Sequence, residues 1–172
     1  QFTENILQLP NIWSCLSKPA FKIEKEKSSP ALKNGFITFG SFNNLSKIND
    51  NVINLWSEIL KRVENSKLFL KSKQLDNLMI VENIKRKFQK NGISTEKIIT
   101  EGKSKTREEM LKKYNQIDIA LDPFPYSGVT TSLEANWMGV PLLTKKGNNF
   151  YSRIGTSINK NLEMEDWIAN DE

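Results

Sequence analysis

The stretch Asp122-Pro123-Phe124-Pro125-Tyr126-Ser127-Gly128-Val129-Thr130-Thr131 holds the residue types best suited to chemistry in this chain. Two prolines stiffen it, and Gly128 allows a tight backbone turn. Thr130 and Thr131 then open a predicted helix. Free backbone N–H groups at a helix N-terminus, with two hydroxyls beside them, suit an anion such as phosphate. Glu134 lies about one turn further along the same face and is placed to accept hydrogen bonds from a ribose diol. The plainer alternative makes Thr130 a helix cap and Glu134 a solvated carboxylate. A second polar stretch, Ser41-Phe42-Asn43-Asn44-Leu45-Ser46-Lys47, combines amides and hydroxyls with one lysine. It suits a diphosphate, with Lys47 as a point charge, or it is a polar loop that caps the next helix.

Much other chemistry is excluded. The chain has no histidine, so Ser-His-Asp and Cys-His nucleophiles, histidine general bases and His-dependent zinc sites are out. Its one cysteine, Cys15, permits no internal disulfide, fits a reducing compartment and has no activating neighbour. Neither a G-x-G-x-x-G nor a Walker A pattern is present. Lys103, Lys105 and Arg107 read as a solvated basic cluster, and Lys145-Lys146-Gly147 as a turn. Trp13, Trp56, Trp137 and Trp167 read as core or interface anchors.

The elements that must position these loops follow from length and periodicity. At 172 residues and 19.8 kDa the chain is expected to form one domain with its own core. The net charge of +5 is interleaved with Asp and Glu rather than massed, which argues against nucleic acid as a partner. No run of about 18 apolar residues is present, so no membrane-spanning helix is expected. The first residues lack the basic and apolar regions of a signal peptide. They also lack an initiator Met, so the chain is expected to begin mid-protein.

Residues 1–34, interrupted by Pro10, Pro19 and Pro30, read as an extended segment or linker lying on a neighbour. Strands are predicted at 36–40, 66–70, 97–100, 117–121 and 140–144. Helices are predicted at 52–63, capped by Asp50 or Asn51, and at 75–90, 106–114 and 130–138, with another starting at 151–158. Thr106-Arg107-Glu108-Glu109 fits a capping box. Such alternation predicts an α/β fold, a Rossmann-like parallel sheet with helices on both faces, with ligands outside the carboxyl ends of the strands.

Three stretches carry a resemblance: Asn34 to Ile48, Asp118 to Glu134, and Trp137-Met138-Gly139-Val140-Pro141. They resemble the O-linked N-acetylglucosamine transferase family, closest to its SPINDLY-like and bacterial members, and the likeness runs from about Phe2 to Glu172. The resemblance implies a GT-B glycosyltransferase of two Rossmann-like lobes, usually following tetratricopeptide repeats. Residues 35–172 would be the C-terminal, donor-binding lobe, and residues 1–34 the inter-lobe linker, of which Gln1 to Pro10 resemble the joining segment. It implies metal-independent transfer of a sugar from a nucleoside diphosphate to Ser or Thr hydroxyls of proteins, with no cofactor and a cytoplasmic location. The donor would be UDP-N-acetylglucosamine or GDP-fucose.

Residue by residue, the resemblance puts Lys47 on the donor diphosphate as leaving-group stabiliser and Asn44 beside it. Thr130 and Thr131 fall at the phosphates and Glu134 at the ribose. Lys105, Arg107, Met110 and Lys113 fall in the base-contacting stretch. Many members carry histidine at Met110, and a small residue or histidine at Val129. Methionine can pack on a base or ribose but supplies no such polar contact. The chain stops where the family continues into a closing helix, and by itself it is expected to be an inactive fragment. No residue has a case as general base. The alternatives are a nucleotide or nucleotide-sugar binding module without transfer, and a basic scaffold or nucleic-acid-binding domain.

Overall fold

A computed structural model describes residues 11–171 together with Thr3, Asn5 and Leu7. The segment expected at Gln1 to Pro10 therefore lies largely outside the described residues. Among them, six parallel strands form one sheet in the order β3-β2-β1-β4-β5-β6. These are β1 (Ile37–Ser41), β2 (Ser66–Lys71), β3 (Ile98–Glu101), β4 (Ile119–Leu121), β5 (Leu142–Lys145) and β6 (Ile168–Ala169). The helices are α1 (Pro30–Asn34), α2 (Asp50–Arg62), α3 (Leu78–Lys90), α4 (Arg107–Lys112), α5 (Thr130–Trp137) and α6 (Ile154–Asn161).

The strand order reverses between β1 and β4. Right-handed crossovers then put α2 and α3 on one face and the later helices on the other. The side chains of β2 show the division. Leu68 and Leu70 enter the cluster with Val52, Ile53, Trp56 and Leu60 of α2 and Ile84 and Phe88 of α3. Phe69 points to the opposite cluster, with Leu111 of α4, Tyr114, and Ala135 of α5. A strand buried on both faces needs such a near-continuous apolar run. Trp56 and Phe88 are fully enclosed, and truncating either to alanine would cost about 3–5 kcal/mol.

The Rossmann-like α/β expectation agrees with this architecture. Several boundaries differ. Asn49, rather than Asp50 or Asn51, caps α2, its Oδ1 accepting from Val52 N at 3.1 Å. The predicted helix at 75–90 divides into a 3-10 turn, Lys73–Asp76, and α3, which Asn77 caps and which stops at Asn91-Gly92. The helix at 106–114 ends at Lys112 and tightens into the 3-10 turn Lys113–Gln116. Ile117 and Asp118 precede β4 instead of belonging to it. The last predicted helix splits into the 3-10 turn Phe150–Ser152 and α6.

Residues 11–29 are irregular, as expected, but Ser29 caps the short helix α1 within the stretch read as linker. This segment is tied to the domain. Phe21 and Ile23 pack on the α4–α5 side, Asn115 Nδ2 donates to Glu24 O at 3.0 Å, and Lys25 sits over the Trp137 ring. Asp118 accepts from Thr38 N at 2.8 Å and Ala31 N at 2.9 Å, so α1 is pinned to the sheet.

Candidate functional site

Two loops leave the carboxyl ends of β1 and β4, at the point where strand order reverses. The loop after β1 turns through Asn44, whose Oδ1 accepts from Ser46 N at 3.0 Å and opens the 3-10 turn Leu45–Lys47. The same oxygen accepts from Gln74 Nε2 at 2.6 Å, joining this loop to the one after β2. Asn43 is buried, and its Oδ1 accepts from Thr131 Oγ1 at 3.0 Å, which ties the loop to the start of α5.

The loop after β4 is organised from its first residue. Asp122 is 4% exposed. Its Oδ1 accepts from Gly128 N at 2.7 Å and from Ser132 Oγ at 3.4 Å, and its Oδ2 accepts from Thr144 Oγ1 at 2.8 Å. Burial pushes its carboxyl up to about 6, while Gly128 N–H, Thr144, Lys47 and Ser132 pull in the opposite direction. Gly128 has no room for a side chain: a Cβ there would run into Ser132 Oγ and, at 2.8 Å, Thr131 Oγ1. Lys47 Nζ donates to Ser127 O at 2.9 Å and lies 4.4 Å from the centre of the Tyr126 ring. Burial lowers the pKa of its ammonium, and Asp122 partly restores it.

Helix α5 starts at Thr130, as expected, and only the plainer alternative that made Thr130 its cap is overturned. Val129 is the capping position, Thr130 is the first helical residue, and no side chain caps the end. The first N–H groups of this helix are thus left without a capping side chain, which favours an anion there. Glu134 is not solvated; it is 4% exposed. Arg107 Nη2 lies 3.2 Å from its Oε1. Burial raises the Glu134 carboxyl pKa, and Arg107 pulls it back.

A cleft of about 500 Å³ brings together Asn44, Lys105, Arg107, Met110, Thr131 and Glu134. Lys47, Lys113, Val129 and Thr130 stand outside its lining. Lys113 Nζ pairs with Glu101 at 2.8 Å, and Glu101 also holds the buried Lys71 at 2.8 Å. The capping box at α4 is modified: Thr106 accepts from Glu109 N, but Glu109 reaches back to Lys105 N rather than Thr106 N. Lys145 ends β5 instead of opening a turn.

The sequence gives no individual role to Asn43 or Asp122, which fall inside the two polar stretches, and does not mark Gln74 or Ser104. Ser104 lines the cleft, and its buried Oγ has no partner among the described residues. The signal for Asp122 was available: an acid at a strand's carboxyl end, six residues before a glycine. Among the described residues, no three Cys, Asp or Glu side chains gather as a metal site requires. No described helix is long and apolar enough to cross a membrane.

The family described as glycosyl transferase family 41 matches residues 19–172. The "Probable UDP-N-acetylglucosamine--peptide N-acetylglucosaminyltransferase SPINDLY" of Solanum lycopersicum is 33% identical over 173 residues, 98% of this chain and 18% of that protein. The protein of the same name from Hordeum vulgare is 35% identical over 159 residues, 90% of this chain and 16% of that protein. Among solved structures, a point mutant of Thermobaculum terrenum O-GlcNAc transferase superposes with a TM-score of 0.83 at 31% identity, covering 90% of this chain and 28% of that one. The chain thus spans less than a fifth of the length of these SPINDLY relatives. With all six strands of its sheet inside the matched stretch, the chain belongs to glycosyl transferase family 41.

Proposed function

We propose that this chain is the nucleotide-sugar donor-binding lobe of a GT-B protein O-glycosyltransferase. The observation that carries the reading is the cleft at the strands' carboxyl ends, where Asn44, Arg107, Met110, Thr131 and Glu134 converge from separate elements. Relatives named as peptide N-acetylglucosaminyltransferases support a nucleoside diphosphate sugar as donor and a protein as acceptor. UDP-N-acetylglucosamine and GDP-fucose are the two candidate donors. The small share of each relative that the chain spans supports further sequence elsewhere in the full protein, which we take to be a second catalytic lobe and tetratricopeptide repeats. A lone exposed Cys15 fits work in the reducing cytoplasm.

The mechanism follows from where charge develops. Breaking the sugar–diphosphate bond leaves negative charge on the departing diphosphate. Lys47 and the uncapped N–H groups at Thr130 and Thr131 stabilise that charge with preorganised donors, without a metal ion. Losing one such donor costs about 3 kcal/mol of barrier. Glu134, held by Arg107, accepts from the ribose hydroxyls, while Met110 packs on the base with Lys105 and Lys113 nearby. Val129 shapes the turn before the phosphates.

Calorimetric titration with UDP and with GDP, on the wild type and Lys47→Ala, tests the reading. Saturable binding of one nucleotide, weakened in the variant with little change in thermal stability, is the expected result. Failure of the folded chain to bind either, or equal loss of stability and binding, counts against it.

A further inference from the structure

The Ser127–Gly128 peptide group is gripped at both ends. Its N–H donates to Asp122 Oδ1 at 2.7 Å, and its carbonyl accepts from Lys47 Nζ at 2.9 Å. An amide is planar, so its N–H and C=O point in opposite directions. Fixing one end therefore fixes where the other points. We propose that Asp122 is a positioning residue that sets Lys47 through the Ser127–Gly128 peptide. The inference rests on the donor-lobe reading for its consequence, namely that Asp122 governs affinity for the diphosphate without touching it.

Other contacts keep Asp122 in place. Thr144 Oγ1 on β5 and Ser132 Oγ on α5 take up its remaining acceptor capacity. The N-terminal turn of α6 closes over it at Gly155, where any Cβ would collide with Asp122 Oδ2 and Thr144 Oγ1. The carboxylate is thereby clamped between β4, β5, α5 and α6. Among charged neighbours, Lys47 faces it. Lys145 on β5 reaches the Phe124 ring, Glu134 on α5 turns to Arg107, and Arg153 before α6 donates to Gly147 O.

Without the acceptor at position 122, the peptide is free to rotate and Lys47 loses its seat on Ser127 O. The ammonium has three N–H donors, so with one held by that carbonyl two remain for a diphosphate. The carbonyl holds Lys47 beside the loop that opens α5, so little side-chain entropy is left to lose on binding.

Two measurements test the proposal. The first needs no ligand: NMR of the isotope-labelled chain follows the Gly128 amide through a pH titration. The amide should move with a midpoint of about 6 as Asp122 protonates. Lys47→Met should raise that midpoint, and Asp122→Asn should abolish the transition. A midpoint unmoved in Lys47→Met overturns the link. The second is a double-mutant cycle on UDP or GDP affinity. Asp122→Ala should weaken binding at least about fivefold in the native background and less than about twofold alongside Lys47→Met. Asp122→Asn, which keeps an acceptor oxygen, should fall between. Equal losses in both backgrounds give Asp122 a merely structural role and overturn the proposal. If the wild type binds neither nucleotide, the donor-lobe reading fails, and the NMR titration still decides whether Asp122 and Lys47 are linked.

Discussion

Lys47 and Asp122 hold opposite ends of one peptide group, Lys47 on the Ser127 carbonyl and Asp122 on the Gly128 N–H. A cation and a buried anion are joined through an amide instead of by direct contact. The dipole of that amide is aligned with both charges, its oxygen toward the ammonium and its N–H toward the carboxylate. Such an arrangement keeps the ammonium at the loop while the carboxylate remains sealed beneath it.

The seal carries a cost that pH reveals. Asp122 has a folded-state pKa of about 6, raised from 3.8 chiefly by burial. Its protonated form is favoured by the fold, so the associated stability is complete below 3.8 and is lost as pH rises through about 6. The Asp122→Asn variant has no charge to bury. Its thermal stability should therefore gain on the wild type between pH ~4 and ~6 and hold the advantage above that, with an upper bound of about 3 kcal/mol. Thermal unfolding of both proteins across this range is the check. A constant difference with pH would show that the carboxylate ionises without strain.

A second pH dependence belongs to Glu134. Burial raises its carboxyl pKa and Arg107 opposes the rise. Arg107→Met removes that opposition, so the pKa climbs further. The variant's deficit should be small near pH 4, where Glu134 is protonated, and should grow as pH rises through the folded pKa. Because the Arg107 side chain is 49% exposed, solvent screening limits the loss to about 1 kcal/mol. Adding Glu134→Gln should flatten the pH dependence, as read from melting temperatures at acidic and neutral pH.

Arg107 and Glu134 also show why the sequence yields some features and hides others. Strands such as β2 are legible because burial on both faces demands an uninterrupted apolar run, Leu68-Phe69-Leu70. The two-residue β6, Ile168–Ala169, has no run to detect. That Glu134 is buried is not legible from its own helix, because the half-exposed arginine that pairs with it is 27 residues upstream. The two loops are legible from their polar residues and turn formers. What joins them, Asn43 to Thr131 and Lys47 to Ser127, is set by the sheet's order, since β1 and β4 are neighbours in space only. Lys113 shows the same limit: its position falls in the base-contacting stretch, while its ammonium pairs with Glu101.

If the cleft binds a nucleoside diphosphate lengthwise, its two ends should separate in binding experiments. Met110 is half-buried on α4 at one side of the cleft, and Lys47, beyond its lining in the turn after β1, reaches the loop before α5. Methionine contributes apolar contact to a base or ribose, and truncating it exposes area worth about 1–2 kcal/mol, roughly tenfold in affinity. The Met110→Ala loss should be equal for a nucleoside monophosphate and its diphosphate, because both carry the same nucleoside. Lys47 acts on phosphate charge through a charge-assisted hydrogen bond, worth about 1.5–3 kcal/mol. Lys47→Ala should therefore weaken the diphosphate by about tenfold or more and leave the monophosphate close to its wild-type affinity. Calorimetry with UMP, UDP, GMP and GDP on the two variants reads both effects. Equal weakening of mono- and diphosphate by Lys47→Ala would place the lysine away from the leaving group and remove the basis for its catalytic role.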